Sequence, residues 1–135
     1  MAALTPSLRW SIVHVDLDPV RGHEQAGQRR ALVVSYEPFH ASGLATVCQI
    51  TAARTAPRYP GDVAIPAGEA GQAKDGVIIC SQPRTLSRDR IGREAFGTVT
   101  DPAIRSAVRS ALGHQLGLDI PTALDGATVI EIAES

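Results

Sequence analysis

Between Arg21 and Arg30 the chain packs one histidine, one glutamate and three arginines into ten residues, in the stretch RGHEQAGQRR. Cleavage of RNA needs neither a metal nor a protein nucleophile, because the ribose 2′-OH can attack its own neighbouring phosphate. The protein then supplies a group that takes the 2′-OH proton, a group that protonates the leaving oxygen, and cationic donors for the phosphorane charge. A guanidinium suits the last task, since its planar fork matches phosphate and it stays ionised. An imidazole suits proton transfer near neutrality, and loop glycines let backbone come close to a ligand. The stretch holds these parts. By composition alone it is equally a solvated loop.

The elements around it must hold these groups still. SIVHVDL (11–17) alternates, with Val13, Val15 and Leu17 on one face and Ile12, His14 and Asp16 on the other, which predicts a half-buried strand. RALVVS (30–35), LATVCQIT (44–51), DVAIPA (62–67) and DGVIICS (75–81) read as further strands, and YEPFHASG (36–43) as a turn. The polar GEAGQAKD (68–75) separates two of these strands. QPRTLSRDRIGR (82–93) reads as a short strand or a helical turn, and FGTVT (96–100) as a closing strand. The clearest helix is DPAIRSAVRSALGHQLG (101–117), with Asp101 to cap it, Pro102 at its first position and Gly117 to stop it. Ile104, Val108, Ala111, Leu112 and Leu116 fall on its apolar face. GATVIEIAES (126–135) could add a strand. Strands followed by one helix predict a mainly β, α+β domain: a small twisted antiparallel sheet or barrel with helical cover.

A chain of 135 residues fits one domain and can bury a core without staples. All 13 basic residues lie at or before Arg109, and four acids with no base follow from Asp119. That asymmetry is compatible with a polyanion partner or with a merely solvated tail. Cys48 and Cys80 sit in apolar runs without metal-ligand spacing, so buried free thiols in a reducing compartment are expected. The start MAALTPSLRW lacks signal-peptide features, and no apolar run reaches membrane-spanning length. A cytoplasmic protein without a membrane partner is the expectation.

Several stretches in one order, over about residues 9 to 118, resemble the MazF/PemK (Kid-like) ribonuclease toxins of type II toxin–antitoxin systems. VDLDPVRGHEQAGQRRALVVS resembles their D-x-D-P, G-H/S-E-Q-x-G, R-P opening. GLATVCQIT resembles the strand ending P-I-T, YPGDVAIP a Y-P/A-G/F-x-V segment, and DGVIICSQPRTLSRDRIGR the D-G-V-V…D-Q-x-R-T stretch. The resemblance implies a small SH3-like antiparallel β-barrel (PemK/MazF/CcdB-like) with a C-terminal helix over 1–118, the acidic extension 119–135 lying outside it. It implies a sequence-selective, metal-independent mRNA interferase, an endoribonuclease for single-stranded RNA with no cofactor. It also implies a homodimer and a cognate antitoxin with an acidic disordered tail.

Residue by residue, the resemblance assigns Arg29 to phosphate and transition-state charge, Thr51 to a hydrogen bond on the scissile phosphate, and His23 to proton transfer. Glu24, Gln25, Gly27, Gln28, Arg30, Arg84 and Ser81 fall at RNA-contacting or loop-shaping positions. The chain departs from the pattern in five places: the R-G-D/E start reads Arg9, Trp10 and Ser11, and four single positions differ. Arg30 replaces the proline of R-P, Gln49 the proline of P-I-T, His14 a tryptophan common in the first strand, and Ser81 the aspartate of D-Q-x-R-T. Ser81 is no proton shuttle, and with Arg30 and Gln49 it keeps open a lapsed member that only binds RNA or antitoxin; the barrel, which CcdB toxins share, keeps open a CcdB-like gyrase poison.

Overall fold

The computed structural model describes residues 7–17, 28–52 and 61–126. Seven strands and one helix follow in the order β1 (Ser11–Asp16), β2 (Gln28–Val33), β3 (Leu44–Ala52), β4 (Asp62–Ile65), β5 (Gly76–Ile79), β6 (Arg84–Ser87), β7 (Ile91–Thr98) and α1 (Pro102–Gln115). All ladders are antiparallel. The sheet order is β4-β5-β3-β2-β1-β7, with β6 on β3. Among the described residues no ladder joins β4 to β7, so the expected mainly β fold is present as a sheet that does not close into a barrel.

The nine-residue β3 is the spine. Its first half pairs with β6 (Leu44↔Ser87 to Val47↔Arg84), its middle with β2 (Ala31↔Gln49, Val33↔Val47), and its last three residues with β5 (Ile50↔Ile78, Ala52↔Gly76). Apolar residues cover both faces. Ile12, Leu32, Cys48, Ile65 and Ile78 pack with Ile104, Val108 and Ala111 of α1. On the other face Val13, Val15, Leu17, Ala31, Val33 and Val47 pack with Leu86 and Ile91. The alternation in β1 therefore separates two cores at its start rather than core from water: Ile12, expected on the open face, is fully buried, and only His14 further along is exposed.

α1 starts and stops as its sequence requires. The Asp101 carboxylate accepts the Ala103 N–H at 2.8 Å, satisfying one of the unpaired amides of the first turn. At the other end Gly117 takes φ +71, the Gly117 N–H donates to the His114 carbonyl, and the Leu118 N–H donates to that of Gly113, the paired bonds of a Schellman stop. Leu116 departs from expectation. It is the cap residue, already outside helical dihedrals (φ −91, ψ 0), and its side chain is 65 % exposed. The segment read as a turn after β2 is a 3-10 helix, Glu37–Ser42, opened by Pro38. Residues 82–93 hold both alternatives read from the sequence, β6 and then a 3-10 turn at Arg88–Arg90. The strand proposed at 126–135 lies outside the described residues from 127 onward.

Candidate functional site

The site lies where β2 and β3 part. Their ladder ends at Ala31↔Gln49, yet β2 continues back to Gln28 and β3 on to Ala52. The end of β3 has turned away to pair with β5. A fork opens between the strands, and two depressions adjoin it.

Alternation decides which side chains meet there. On β2, Arg29 shares a face with Ala31 and Val33, which belong to the core beneath β6. On β3, Gln49 and Thr51 continue the face of Val47. Arg29 and Thr51 each lie two residues beyond the paired Ala31 and Gln49, so they stand opposite each other across the mouth of the fork. Both line a cleft of about 410 Å³, with His14, Arg30, Ile50, Ala52 and the loop Gln72 to Asp75. Arg29 is half-buried and Thr51 exposed. Among the described residues no carboxylate pairs with Arg29.

The second depression, about 190 Å³, is lined by Leu17, Val47, Gln49, Ile79, Gln82, Pro83 and Arg84. Arg84 pairs with Val47 across the β3–β6 ladder. Gln49, one of the departures, therefore stands between Arg84 and Thr51 along one face of β3. Arg84 thus lines the smaller hollow, and Arg29 and Arg30 line the larger.

The other wall of the larger cleft belongs to the helix side of the sheet. His14 and Arg30 are register partners on β1 and β2. The Arg30 Cζ lies 3.8 Å from the Phe96 ring centroid, and the His14 ring meets the same phenyl edge-on at 4.6 Å between centroids. Arg30 Nη1 donates to Gln72 Oε1 at 3.2 Å, and Gln72 is itself buried. The replacement for the family's proline is thus a cation held in place, which the sequence alone did not reveal. His14, Gln72, Lys74 and Asp75 line the cleft without a sequence signal that marks them, and Phe96 backs Arg30. The loop 68–75 reads as polar spacer, and no spacing rule links positions 14, 30 and 96.

Ser81 is the one described candidate that the structure sets apart. Its hydroxyl donates to Asp62 Oδ1 at 2.9 Å, its carbonyl accepts from Gln115 at 3.4 Å, and it lines neither hollow. These contacts tie the end of β5 to β4 and α1. His23, Glu24, Gln25 and Gly27 lie outside the described residues, and of Gln28 only the backbone is described. Cys48 and Cys80 are buried free thiols. The neighbouring Cys48 thiol, then burial, push the Cys80 thiol far up, so it stays protonated. Among the described residues no three His, Cys, Asp or Glu side chains gather as a metal site, and no helix is long and apolar enough to cross a membrane.

Comparison with known proteins bears on this groove. The chain is 36% identical over 111 residues to Endoribonuclease EndoA of Bacillus subtilis, covering 82% of this chain and 94% of that protein. It is 34% identical over 89 residues to Endoribonuclease toxin MazF of Escherichia coli, covering 65% and 75% respectively. A solved MazE-MazF structure from Deinococcus radiodurans superposes with a TM-score of 0.66 at 30% identity, over 87% of this chain and 100% of that one. The family profile described as "PemK-like, MazF-like toxin of type II toxin-antitoxin system" matches residues 8–116. With the strand order and the forked groove beside these matches, the chain belongs to the PemK/MazF toxin family.

Proposed function

We propose that the protein is a toxin endoribonuclease that cuts single-stranded RNA without a metal, by attack of a ribose 2′-OH on the adjacent phosphate. The observation that carries this reading is the meeting of Arg29 and Thr51 across the fork between β2 and β3, in one open cleft. Two rigid strands hold a guanidinium and a hydroxyl toward one volume, as stabilisation of a developing phosphorane requires. Arg29 takes the phosphate charge and Thr51 donates to a non-bridging oxygen. His23 transfers a proton. Glu24 orients Arg29 or contacts RNA, Gln25, Gly27 and Gln28 belong to the RNA-binding set, and Arg30 and Arg84 hold flanking RNA. Unstacked RNA fits because only its base edges are free to be read in such a groove.

The partners follow from the same reading. A cationic groove accepts an acidic, extended antitoxin segment in place of RNA, and a solved relative is titled as a MazE-MazF pair. The active form is a homodimer in the cytoplasm. Residues 1–118 form the nuclease domain and 119–135 an acidic extension.

Purified protein is incubated with a long RNA in EDTA. Cleavage that persists in EDTA and falls about 10²–10³-fold in Arg29→Ala is expected, the usual cost of removing one transition-state donor. Wild-type protein that cuts no RNA would overturn the reading. A second reading, a member that binds RNA without cutting it, draws on one observation: the serine at the family's acidic position gives its hydroxyl to Asp62. Tight RNA binding without products would decide for it.

A further inference from the structure

We infer that the wall made by Arg30, Phe96, His14 and Gln72 is a nucleobase subsite, where a base adjoining the scissile linkage lies on the open side of the Arg30 guanidinium and sets this chain's cleavage selectivity at that position. The inference rests on the ribonuclease reading and adds the part of the substrate that this wall takes.

Arg30 differs from Arg29 in what remains free. One side of its guanidinium is in van der Waals contact with Phe96, 3.8 Å from Cζ to ring centroid. One of its terminal nitrogens is spent on Gln72 at 3.2 Å. A guanidinium used this way has fewer donors for a phosphate fork but keeps a flat cationic side toward the cleft, which it helps to line. Flat cations of this kind stack on nucleobases, and unpaired bases are commonly bound on aromatic and guanidinium planes. The platform is built rather than incidental. Gln72 is buried and fixes the guanidinium from the loop side, while His14 braces the phenyl from β1.

The surroundings fit the same occupant. His14 is exposed, and its ring nitrogens can meet the edge of a base lying on Arg30. Lys74 and Asp75 rim the cleft and supply a cation for the backbone and an acceptor for an exocyclic amine. Arg29 and Thr51 line the same cleft, so a base here lies beside the reacting phosphate. The pattern of the resembled family has proline at position 30, so the platform is this chain's own addition and points to a selectivity of its own.

The test maps cut sites of wild type, Arg30→Met and Arg30→Lys on a randomised single-stranded RNA pool, with circular dichroism to verify folding. Arg30→Met is expected to flatten base preference about tenfold at one position beside the cut, with KM rising more than kcat falls. Arg30→Lys keeps charge and loses the plane, so it is expected to flatten the same position while retaining the salt dependence of binding. A uniform loss across all sequences, with the preference intact in both variants, would sink the subsite and leave the nuclease reading standing. Unchanged cut sites with weakened capture of a polyglutamate probe would give the wall to an acidic peptide instead. Wild type that cuts nothing would remove the underlying reading itself.

Discussion

Replacing Gly71 by alanine tests how the loop that carries Gln72 is held against the sheet. Gly71 has φ +79, and a Cβ there would stand 2.3 Å from the Phe96 carbonyl oxygen and 3.0 Å from its carbon. The contact is reciprocal: a Cβ on Gly97 would lie 2.4 Å from the Ala70 carbonyl. Neither partner is a side-chain tip that can swing aside. β7 is pinned to β1 through Ile12↔Gly97, and the Glu69 carboxylate accepts the Thr100 N–H at 3.1 Å. Restoring ordinary contact means opening the loop by about 1 Å, which costs about 1–3 kcal/mol as overpacking does. The left-handed backbone adds about 1–2 kcal/mol. Gly71→Ala should therefore lose about 2–5 kcal/mol, a fall in Tm of roughly 8–20 °C for a domain of this size. A displacement of that size also exceeds hydrogen-bond tolerance between Gln72 and Arg30, so base preference should relax as in Arg30→Met. The series separates the causes by calorimetry. Gly68, at φ +93 with nothing within 4 Å, carries backbone cost alone, whereas Gly97, with no positive φ, carries the clash alone. If Gly71→Ala melts no lower than Gly68→Ala, the close-contact reasoning fails.

Three further outcomes follow from particular contacts. Burial opposes ionisation of Glu37, but the Arg9 N–H, the Ser7 hydroxyl, the Leu8 N–H and the His40 charge outweigh it and hold the carboxyl at about 2. A depressed folded value means stability that is present above the unfolded carboxylate range and lost as pH falls from about 4.5 toward 2. Because the side chain is 45% exposed, the discounted contribution is about 1 kcal/mol, and acid titration of Glu37→Gln should show a shallower loss than wild type. Cys48 and Cys80 should resist iodoacetamide at pH 8 and react on unfolding, read by mass; rapid labelling of folded protein would contradict the burial of both thiols. Thr51→Val keeps the β-branched shape and removes the hydroxyl, so it should cut more slowly by about tenfold or more with melting nearly unchanged. An unaltered rate would take Thr51 out of the reaction.

Strands and helix were legible because their signals are local. Period-two alternation marks β1, and Asp101, Pro102 and Gly117 bracket α1. The 3-10 helix at 37–42 was not, since Pro38 and short polar residues read equally as a turn. The burial of Ile12 was missed for a different reason. Alternation says which residues share a face but not whether a distant helix will cover that face, and the cover is Ile104 and Val108, over ninety residues away. Arg29 and Thr51 became candidates through the resemblance, and register then explains why they converge. They sit equally far past the last pair of one ladder, on strands that separate because β3 must also serve β5.

The departures from the family pattern were visible as letters, and their consequences depended on three-dimensional partners. Ser81 found Asp62. Arg30 found Phe96 and Gln72 and became part of the groove. One substitution places a hydroxyl on the carboxylate of a neighbouring strand, and the other adds a fixed cation to the cleft wall. Loss of an acid–base side chain lowers the rate for every sequence alike. A stacking plane acts on which base is accepted. The combination argues for a toxin in which the chemistry rests on Arg29, Thr51 and the loop before β2, while the helix-side wall of the cleft governs choice of site. In kinetic terms, variants at Arg29 should depress all cut sites in parallel, whereas variants at Arg30 should reorder them.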